Sequence, residues 1–403
     1  MKSISLNDLE TLVIALVALI LGTNLTKRVA WLGNLNVPSP VVGGVIVSVL
    51  IAVVRRYFDV EILFASKLTD VLLLVFFTTV GLSAKLSALK AGGKPLVILC
   101  VVTVLLIVLQ NITGVAVALG FGAHPSYGLL IGSISFVGGP GTAAAWAKEA
   151  QAAGLERAPE IALAGATLAV IVGALVSGPI TGWIVARNGL KSGGAARQAP
   201  WAGGEPEERP ESSIPMEEVF RSFLFITASV LIGMSFNSWA RGAGLVLPGF
   251  LTAMLAGVLI TNVADLVGKK IDFAPIERDG EFALQTFLVM FLMSLKLWTL
   301  GGAVVPLVVN VALQVAVTAS IAYFVLFRLL GRDYDAAITV GGFLGFGLSS
   351  MTVGMASMDK VASRYGPSPK AFLLVTLAGS FFVDLANAFA VKGFLLLPMF
   401  HAK

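Results

Sequence analysis

Asp384 stands about midway along an apolar run, in Phe-Phe-Val-Asp-Leu-Ala-Asn. An ionised carboxylate at the centre of a bilayer costs about 2.5–3.5 kcal/mol or more, so its presence there calls for a reason. Thr376, Ser380, Asp384 and Asn387 follow i, i+4, i+8, i+11 spacing, which predicts a single polar helical face turned toward the protein interior. Two readings stand for that face. It supplies oxygen ligands to a sodium ion or an ammonium group, or it is a hydrogen-bond cluster that holds helices together.

Two glycine-rich stretches carry the rest of the candidate chemistry. The first is Gly132-Ser-Ile-Ser-Phe-Val-Gly-Gly-Pro-Gly-Thr142, and the second is Gly341-Gly-Phe-Leu-Gly-Phe-Gly-Leu-Ser-Ser350. Glycine and proline weaken helices, and bare backbone in hydrocarbon must find hydrogen-bond partners. Each stretch is therefore expected to be broken backbone buried in protein or lining a wet cavity. Gly138, Gly139, Gly141, Gly345 and Gly347 would let a small ligand approach the main chain. Ser133, Ser135 and Thr142, with Ser349, Ser350 and Thr352, would add hydroxyls. Half-helix N-termini at such breaks favour a carboxylate, and freed carbonyls favour sodium. Close helix packing through small residues is the alternative.

Further polar groups lie within apolar runs. Gln110, Asn111 and Gln314 line the same cavity or hold helices together, and Thr79, beside Thr78, is a weaker candidate. Asp70 is an ion ligand or a helix cap. Arg364, the cation nearest the second stretch, either clamps a carboxylate or anchors the chain at the cytoplasmic surface.

The elements that must position these residues follow from composition. The 403 residues are 57% hydrophobic and 13% charged, with mean hydropathy +0.91. That is an all-α polytopic membrane protein. The net charge of +5 reflects basic loops at an anionic membrane face rather than nucleic-acid binding. One cysteine, Cys100, and two histidines, His124 and His401, exclude an internal disulfide and make a histidine-rich metal centre an unsuitable reading. No cleavable signal peptide is visible: Asp8 and Glu10 lead straight into a full-length span. Phosphate loops, zinc-ligand spacings and a nucleophile elbow are missing, so the reading is not an enzyme and uphill transport would draw on an ion gradient.

Spans are predicted near 9–26, 37–54, 68–84, 95–119 and 160–186, then near 218–238, 246–264, 281–299, 303–330 and 370–400. A polar linker, 188–217, separates an N-terminal repeat (1–187) from a C-terminal one (218–403). Re-entrant hairpins are expected at about 126–150 and 335–360. Gln110 and Gln314, Pro40 and Pro248, and Gly132 and Gly341 recur at offsets of 204, 208 and 209. Five crossings per half is an odd number, so the second copy must be inverted. With both termini outside and the linker cytoplasmic, Lys and Arg divide 18 inside to 9 outside, as the positive-inside rule requires. Trp31, Trp183, Trp239 and Trp298 fall at predicted span ends.

Eight motifs in order resemble the bacterial sodium:glutamate symporter family: Val-Pro-Ser-Pro-Val-Val-Gly-Gly (37–44), Phe-Phe-Thr-Thr-Val-Gly-Leu (76–82), Leu-Lys-Ala-Gly-Gly (89–93), Gly-Gly-Pro-Gly-Thr-Ala-Ala-Ala-Trp (138–146), Leu-Lys-Leu-Trp (295–298), Gly-Phe-Gly-Leu (345–348), Arg-Tyr-Gly-Pro-Ser (364–368) and Phe-Phe-Val-Asp-Leu-Ala-Asn-Ala (381–388). The resemblance implies sodium-driven uptake of L-glutamate across a bacterial inner membrane, with Na+ as the co-transported ion. It also implies five helices and one pore loop per inverted half, a homodimer, and an elevator-like movement. The chain departs from the family pattern at Val137, Pro140 and Leu344, where serine, histidine and cysteine are expected. Those departures bear on substrate preference and leave the glycine framework intact. A carrier for another dicarboxylate or amino acid, driven by sodium or protons, is the alternative, and an ion channel with re-entrant pore loops is a further one.

Overall fold

Long apolar runs leave the backbone no hydrogen-bond partner in hydrocarbon except itself, and the chain responds with helices. The computed structural model describes residues 2–29, 32, 38–89, 92–192, 216–243, 247–268, 271, 273–295 and 304–400. Residues 193–215 of the linker, Val37, Lys90 and Ala91, residues 296–298, Trp31, Trp298 and His401 lie outside these. Seven helices are long and apolar enough to cross a membrane: α1 (Asp8–Arg28), α2 (Ser39–Phe58), α4 (Gly93–Gly120), α8 (Ala158–Arg187), α9 (Met216–Gly242), α10 (Gly249–Leu266) and α12 (Val304–Leu329). The chain is thus a multi-pass membrane protein. Trp183 and Trp239 are both well exposed near helix ends, as interfacial anchors are.

The other three expected spans depart from a plain apolar helix for visible reasons. α3 (Lys67–Leu82) has only 16 residues. α11 (Phe273–Met293) carries Glu277, Arg278, Asp279 and Glu281 in its first half. The last is divided into α15 (Pro369–Leu377) and α16 (Val383–Leu395) by a π-helical step at Ala378–Phe382. A second π-helical step, Ile321–Leu326, interrupts α12. One element was not anticipated. Lys2–Ser5 and Val60–Leu63 form a two-stranded parallel sheet, with Lys2 opposite Val60 and Ser5 opposite Leu63.

The broken segments are α5 (Pro125–Leu130), α6 (Ser133–Phe136) and α7 (Gly139–Ala152) in the first half, then α13 (Tyr334–Leu348) and α14 (Met351–Tyr365) in the second. The first glycine stretch is interrupted where expected, at 131–132 and 137–138. The second is not broken at its glycines. α13 runs through Gly341, Gly342, Gly345 and Gly347, and the interruption falls at Ser349–Ser350. Those glycines give way to neighbours instead: a Cβ at Gly342 would meet Met358 and Val375, and one at Gly345 would run into the backbone of Gly354. Small residues here bring helices together without unwinding them. α13 is accordingly buried on every side.

Compactness divides the chain into two units, and each draws on both halves. The first comprises Met1–Lys85, Pro140–Thr167 and Met216–Val304. Within it α1 packs on α2 and α9 on α10, α2 on α11 and α10 on α3, while α3 and α11 pack on each other. Exchanging α1–α3 for α9–α11 carries each of these contacts into another of the same set. The glycines agree: Gly43 faces Ala18 across α1–α2, Gly233 faces Ala253 across α9–α10, Gly44 faces Leu292, and Gly257 faces Leu82. Prolines open both second helices: Pro38 and Pro248 are each the N-cap, at φ −60 with ψ 135 and 140, and Pro40 follows in the first turn of α2.

The second unit comprises Leu86–Gly139, Leu168–Pro215 and Val305–Lys403. Its core joins Leu99, Leu106 and Ile107 of α4 to Phe343 and Phe346 of α13 and Val375 of α15. Both π-helical steps pack against α4.

Candidate functional site

A helix that stops among buried groups leaves amide and carbonyl groups unpaired, and the second unit brings two such stops together. Gly139, at φ +65, opens the chain after the first interruption. A Cβ there would sit 2.8 Å from the Ser349 carbonyl oxygen and 4.0 Å from Ser350 Cβ, at the second interruption. Only glycine permits both the left-handed backbone and that approach. Ser350 is the N-cap of α14, its Oγ accepting from Val353 N at 3.5 Å. Ser349 is fully buried, and its Oγ has no hydrogen-bond partner.

Side chains from α4, α12 and α16 hold the interruptions in place. Asn111 Oδ1 accepts from Ser133 N at 3.1 Å and lies 2.9 Å from Ser133 Oγ. Ser133 Oγ also lies 2.6 Å from Asn387 Oδ1, and Asn387 Nδ2 donates back to the Ser133 carbonyl at 3.3 Å. Gln110 Nε2 donates to the Gly347 carbonyl at 2.7 Å and to Thr318 Oγ1 at 3.2 Å. Gln314 Nε2 donates to the Gln110 main-chain carbonyl at 2.9 Å and to Asn310 Oδ1 at 3.4 Å, while Asn310 Nδ2 donates to the Ile131 carbonyl at 2.7 Å. Gly347 lies in the last turn of α13 and Ile131 separates α5 from α6, so each carbonyl is one that an ending helix leaves open. Carboxamides on the fourth spans close both.

The network is buried but not saturated. Gln110 Oε1, Gln314 Oε1, Asn111 Nδ2, Ser349 Oγ and Ser357 Oγ are buried in this unit without a partner. Each such atom costs about 1–3 kcal/mol if nothing ever meets it. Two are pure acceptors, one is a pure donor, and two are hydroxyls able to do either. That inventory suits a small solute bearing both charges, together with a cation.

The residues singled out from the sequence are placed unevenly. Ser133, Gly139, Gly347, Ser349, Ser350, Asn387, Gln110, Asn111 and Gln314 come together as described. Ser135 is fully buried and bonds the Leu130 carbonyl, bracing the first break. Gly138 lies in the interruption, its N–H donating to the Ser133 carbonyl. Gly345 serves helix packing. Gly141, Thr142 and Thr79 belong to the first unit: Gly141 gives way to Leu284 and Phe76, and Thr79 bonds the Phe76 carbonyl at 2.7 Å. Asp70 is not the N-cap of α3, which is Ser66; it lies in the first turn and pairs with Lys148. Thr352 is exposed on α14. Arg364 is exposed in the last turn of α14 with its guanidinium over Tyr365, about 21 Å up the helix from Ser350 at 1.5 Å per residue.

The polar face expected along the last span does not survive intact. Thr376 is exposed, with its hydroxyl 3.9 Å from Met355 Sδ, whereas Asn387 is fully buried and Asp384 half-buried. The π-helical step at Ala378–Phe382 between them adds a residue to the turn and rotates everything beyond it. Ser380 lies inside that step. Asp384 remains one turn from Asn387, and no hydrogen bond or ion pair to it occurs among the described residues. Asn310 and Thr318 were missed, although Asn310, Gln314 and Thr318 follow i, i+4, i+8 spacing and share one face of α12.

Comparison with known proteins gives a consistent result. Residues 4–367 match the sequence profile of the sodium/glutamate symporter family. The chain is 37% identical over 394 residues to the sodium/glutamate symporter of Haemophilus influenzae, covering 97% of each chain. It is 35% identical over 399 residues to that of Escherichia coli K12, covering 98% of this chain and 99% of the other.

Proposed function

The chain belongs to the sodium/glutamate symporter family, and from that membership we propose that it carries L-glutamate and sodium together into the cell across a bacterial inner membrane. The observation that carries this reading is the meeting of Gly139 with Ser349, surrounded by buried polar atoms that no group of the unit satisfies. The α14 N-terminus at Ser350 offers unpaired amides to a carboxylate, and Asn111 Nδ2 offers a further donor. Asp384 and Asn387 receive positive charge from the substrate ammonium or from sodium. Asp384 without a counter-charge is costly at this depth, so loading a cation is favourable in itself. The membrane potential adds about 2.3 kcal/mol per charge for every 100 mV.

In this reading the halves are inverted repeats, each with a re-entrant hairpin. The exchange symmetry of contacts in the first unit and the twin interruptions support that view. Both termini face the exterior and the linker the cytoplasm, by the distribution of Lys and Arg. Alternating access proceeds by an elevator-like displacement of the unit that bears both interruptions, within a homodimer. Sodium draws the broken segments around the substrate, so that loaded and empty carriers move and half-loaded ones do not.

Uptake of radiolabelled glutamate into proteoliposomes tests the reading. An inward sodium gradient should drive accumulation, and choline in its place should not. Accumulation driven equally well by a pH gradient alone would overturn sodium coupling, and substrate-independent conductance would point to a channel.

A further inference from the structure

The orientation of three carboxamides is fixed by partners that cannot exchange roles. Gly347 and Gln110 present main-chain carbonyls, which only accept, so the heads of Gln110 and Gln314 must turn their nitrogens to them. Ser133 N only donates, so Asn111 must turn its oxygen there. What is left over is therefore chemically definite: two carboxamide oxygens, from Gln110 and Gln314, that can only accept. Both belong to the α4–α12 contact. Gln110 Nε2 reaches Thr318 Oγ1 and Gln314 Nε2 reaches the Gln110 carbonyl, while Gln314 and Thr318 are neighbours on one helical face.

We propose that the Gln110 and Gln314 carboxamide oxygens are paired ligands of a dehydrated sodium ion, coupled to the second broken segment through the Gln110 head. The assignment rests on the symport reading above. Three observations select the ion. Both oxygens are buried and can only accept, so a partner must bring positive charge or a proton to give, and an ammonium on a carbon skeleton is bulky. A bare ion smaller than water can come closer. The oxygens that accept from the two amide nitrogens, Thr318 Oγ1 and Asn310 Oδ1, are neutral as well, and among the described residues no group of three or more His, Cys, Asp or Glu side chains could hold a metal ion. An all-neutral oxygen set suits a monovalent hard cation, whereas divalent ions are usually held with carboxylates.

The coupling follows from the same side chain. A cation on Gln110 Oε1 polarises the amide and strengthens the donation from Nε2 to the Gly347 carbonyl. Gly347 lies two residues before Ser349, where the second segment is interrupted and faces Gly139. Through Gln314 and Asn310 the same ion is linked to the Ile131 carbonyl in the first segment. Sodium arrival thus stiffens both interruptions without touching the substrate.

The test compares wild type with Gln110→Met and Gln314→Met in proteoliposomes, varying sodium at saturating glutamate and glutamate at saturating sodium. The half-saturating sodium concentration should rise about tenfold in each variant, a larger change than that in the glutamate KM at saturating sodium. Where a methionine variant does not fold, Gln314→Glu serves. It keeps an oxygen ligand and adds charge while losing the donor to the Gln110 carbonyl, so it should alter the preference between lithium and sodium, which loss of that donor alone would not do. An unchanged sodium half-saturation and unchanged cation preference, or a rise confined to the glutamate KM, would overturn the assignment while leaving symport intact. Absence of sodium-driven uptake by the wild type would instead overturn the symport reading.

Discussion

Ser133 Oγ stands 2.6 Å from Asn387 Oδ1, tying the first broken segment to the last helix across 254 positions of sequence. A hydroxyl has one proton to give. Asn111 Oδ1 already accepts from Ser133 N, so the shorter contact to Asn387 takes the Ser133 proton. Ser133→Ala removes that donor and leaves a buried carboxamide oxygen with nothing in its place. The variant should lose about 1–3 kcal/mol of stability together with glutamate uptake, measured by thermal unfolding of the purified protein and by proteoliposome transport.

Gly139 and Gly182 separate two kinds of glycine. Gly139 has φ +65 and its missing Cβ would press on the Ser349 oxygen, while a Cβ at Gly182 in α8 meets nothing within 4 Å. Gly139→Ala should cost about 1–3 kcal/mol and abolish transport. Gly182→Ala should be neutral or stabilising by about 0.5–1 kcal/mol with uptake retained. Equal behaviour of the two in a melting and uptake series would contradict the close meeting of the interruptions.

Gly345→Ala should act on folding rather than on recognition. Its added carbon would enter the backbone of Gly354, which cannot rotate aside, and overpacking of this kind costs about 1–3 kcal/mol. Lower expression and melting temperature are expected, with an unaltered glutamate KM in whatever protein survives.

In the proposed mechanism Asp384→Asn removes the charge that favours cation loading. Sodium-driven uptake should disappear, while size-exclusion elution and melting show a folded protein. Uptake at the wild-type rate would remove Asp384 from the mechanism.

Arg364→Ala and Thr376→Val should leave the glutamate KM unchanged and shift stability by no more than about 0.5 kcal/mol. Both side chains are exposed, Thr376 has only the Met355 sulfur beside its hydroxyl among the described residues, and Arg364 lies in the last turn of α14, at the far end from Ser350. A several-fold rise in KM for either would place it in the binding path after all.

Much of the architecture was legible because hydropathy over about 20 residues is a local property, which the ends of α1, α2, α4, α8 and α9 follow within a few residues of expectation. Gln110, Asn111 and Gln314 could be suspected for the same reason, since a polar side chain in an apolar run is visible without any fold. The face of the last helix could not be read this way. A single π-helical step separates Thr376 from Asn387, and whether a turn takes an extra residue is settled by packing against α4 rather than by spacing.

What the sequence determined was which groups are expensive to bury and must have partners: one carboxylate, several carboxamides, and backbone weakened by glycine. What the tertiary structure alone decided was who those partners are. Gln110 reaches Gly347 across 237 positions and Ser133 reaches Asn387 across 254, and the second glycine stretch stays helical because its neighbours fill the space that its missing side chains leave. Hydrogen bonds act over about 3 Å, and no pattern along the chain encodes which distant segments folding will bring that close.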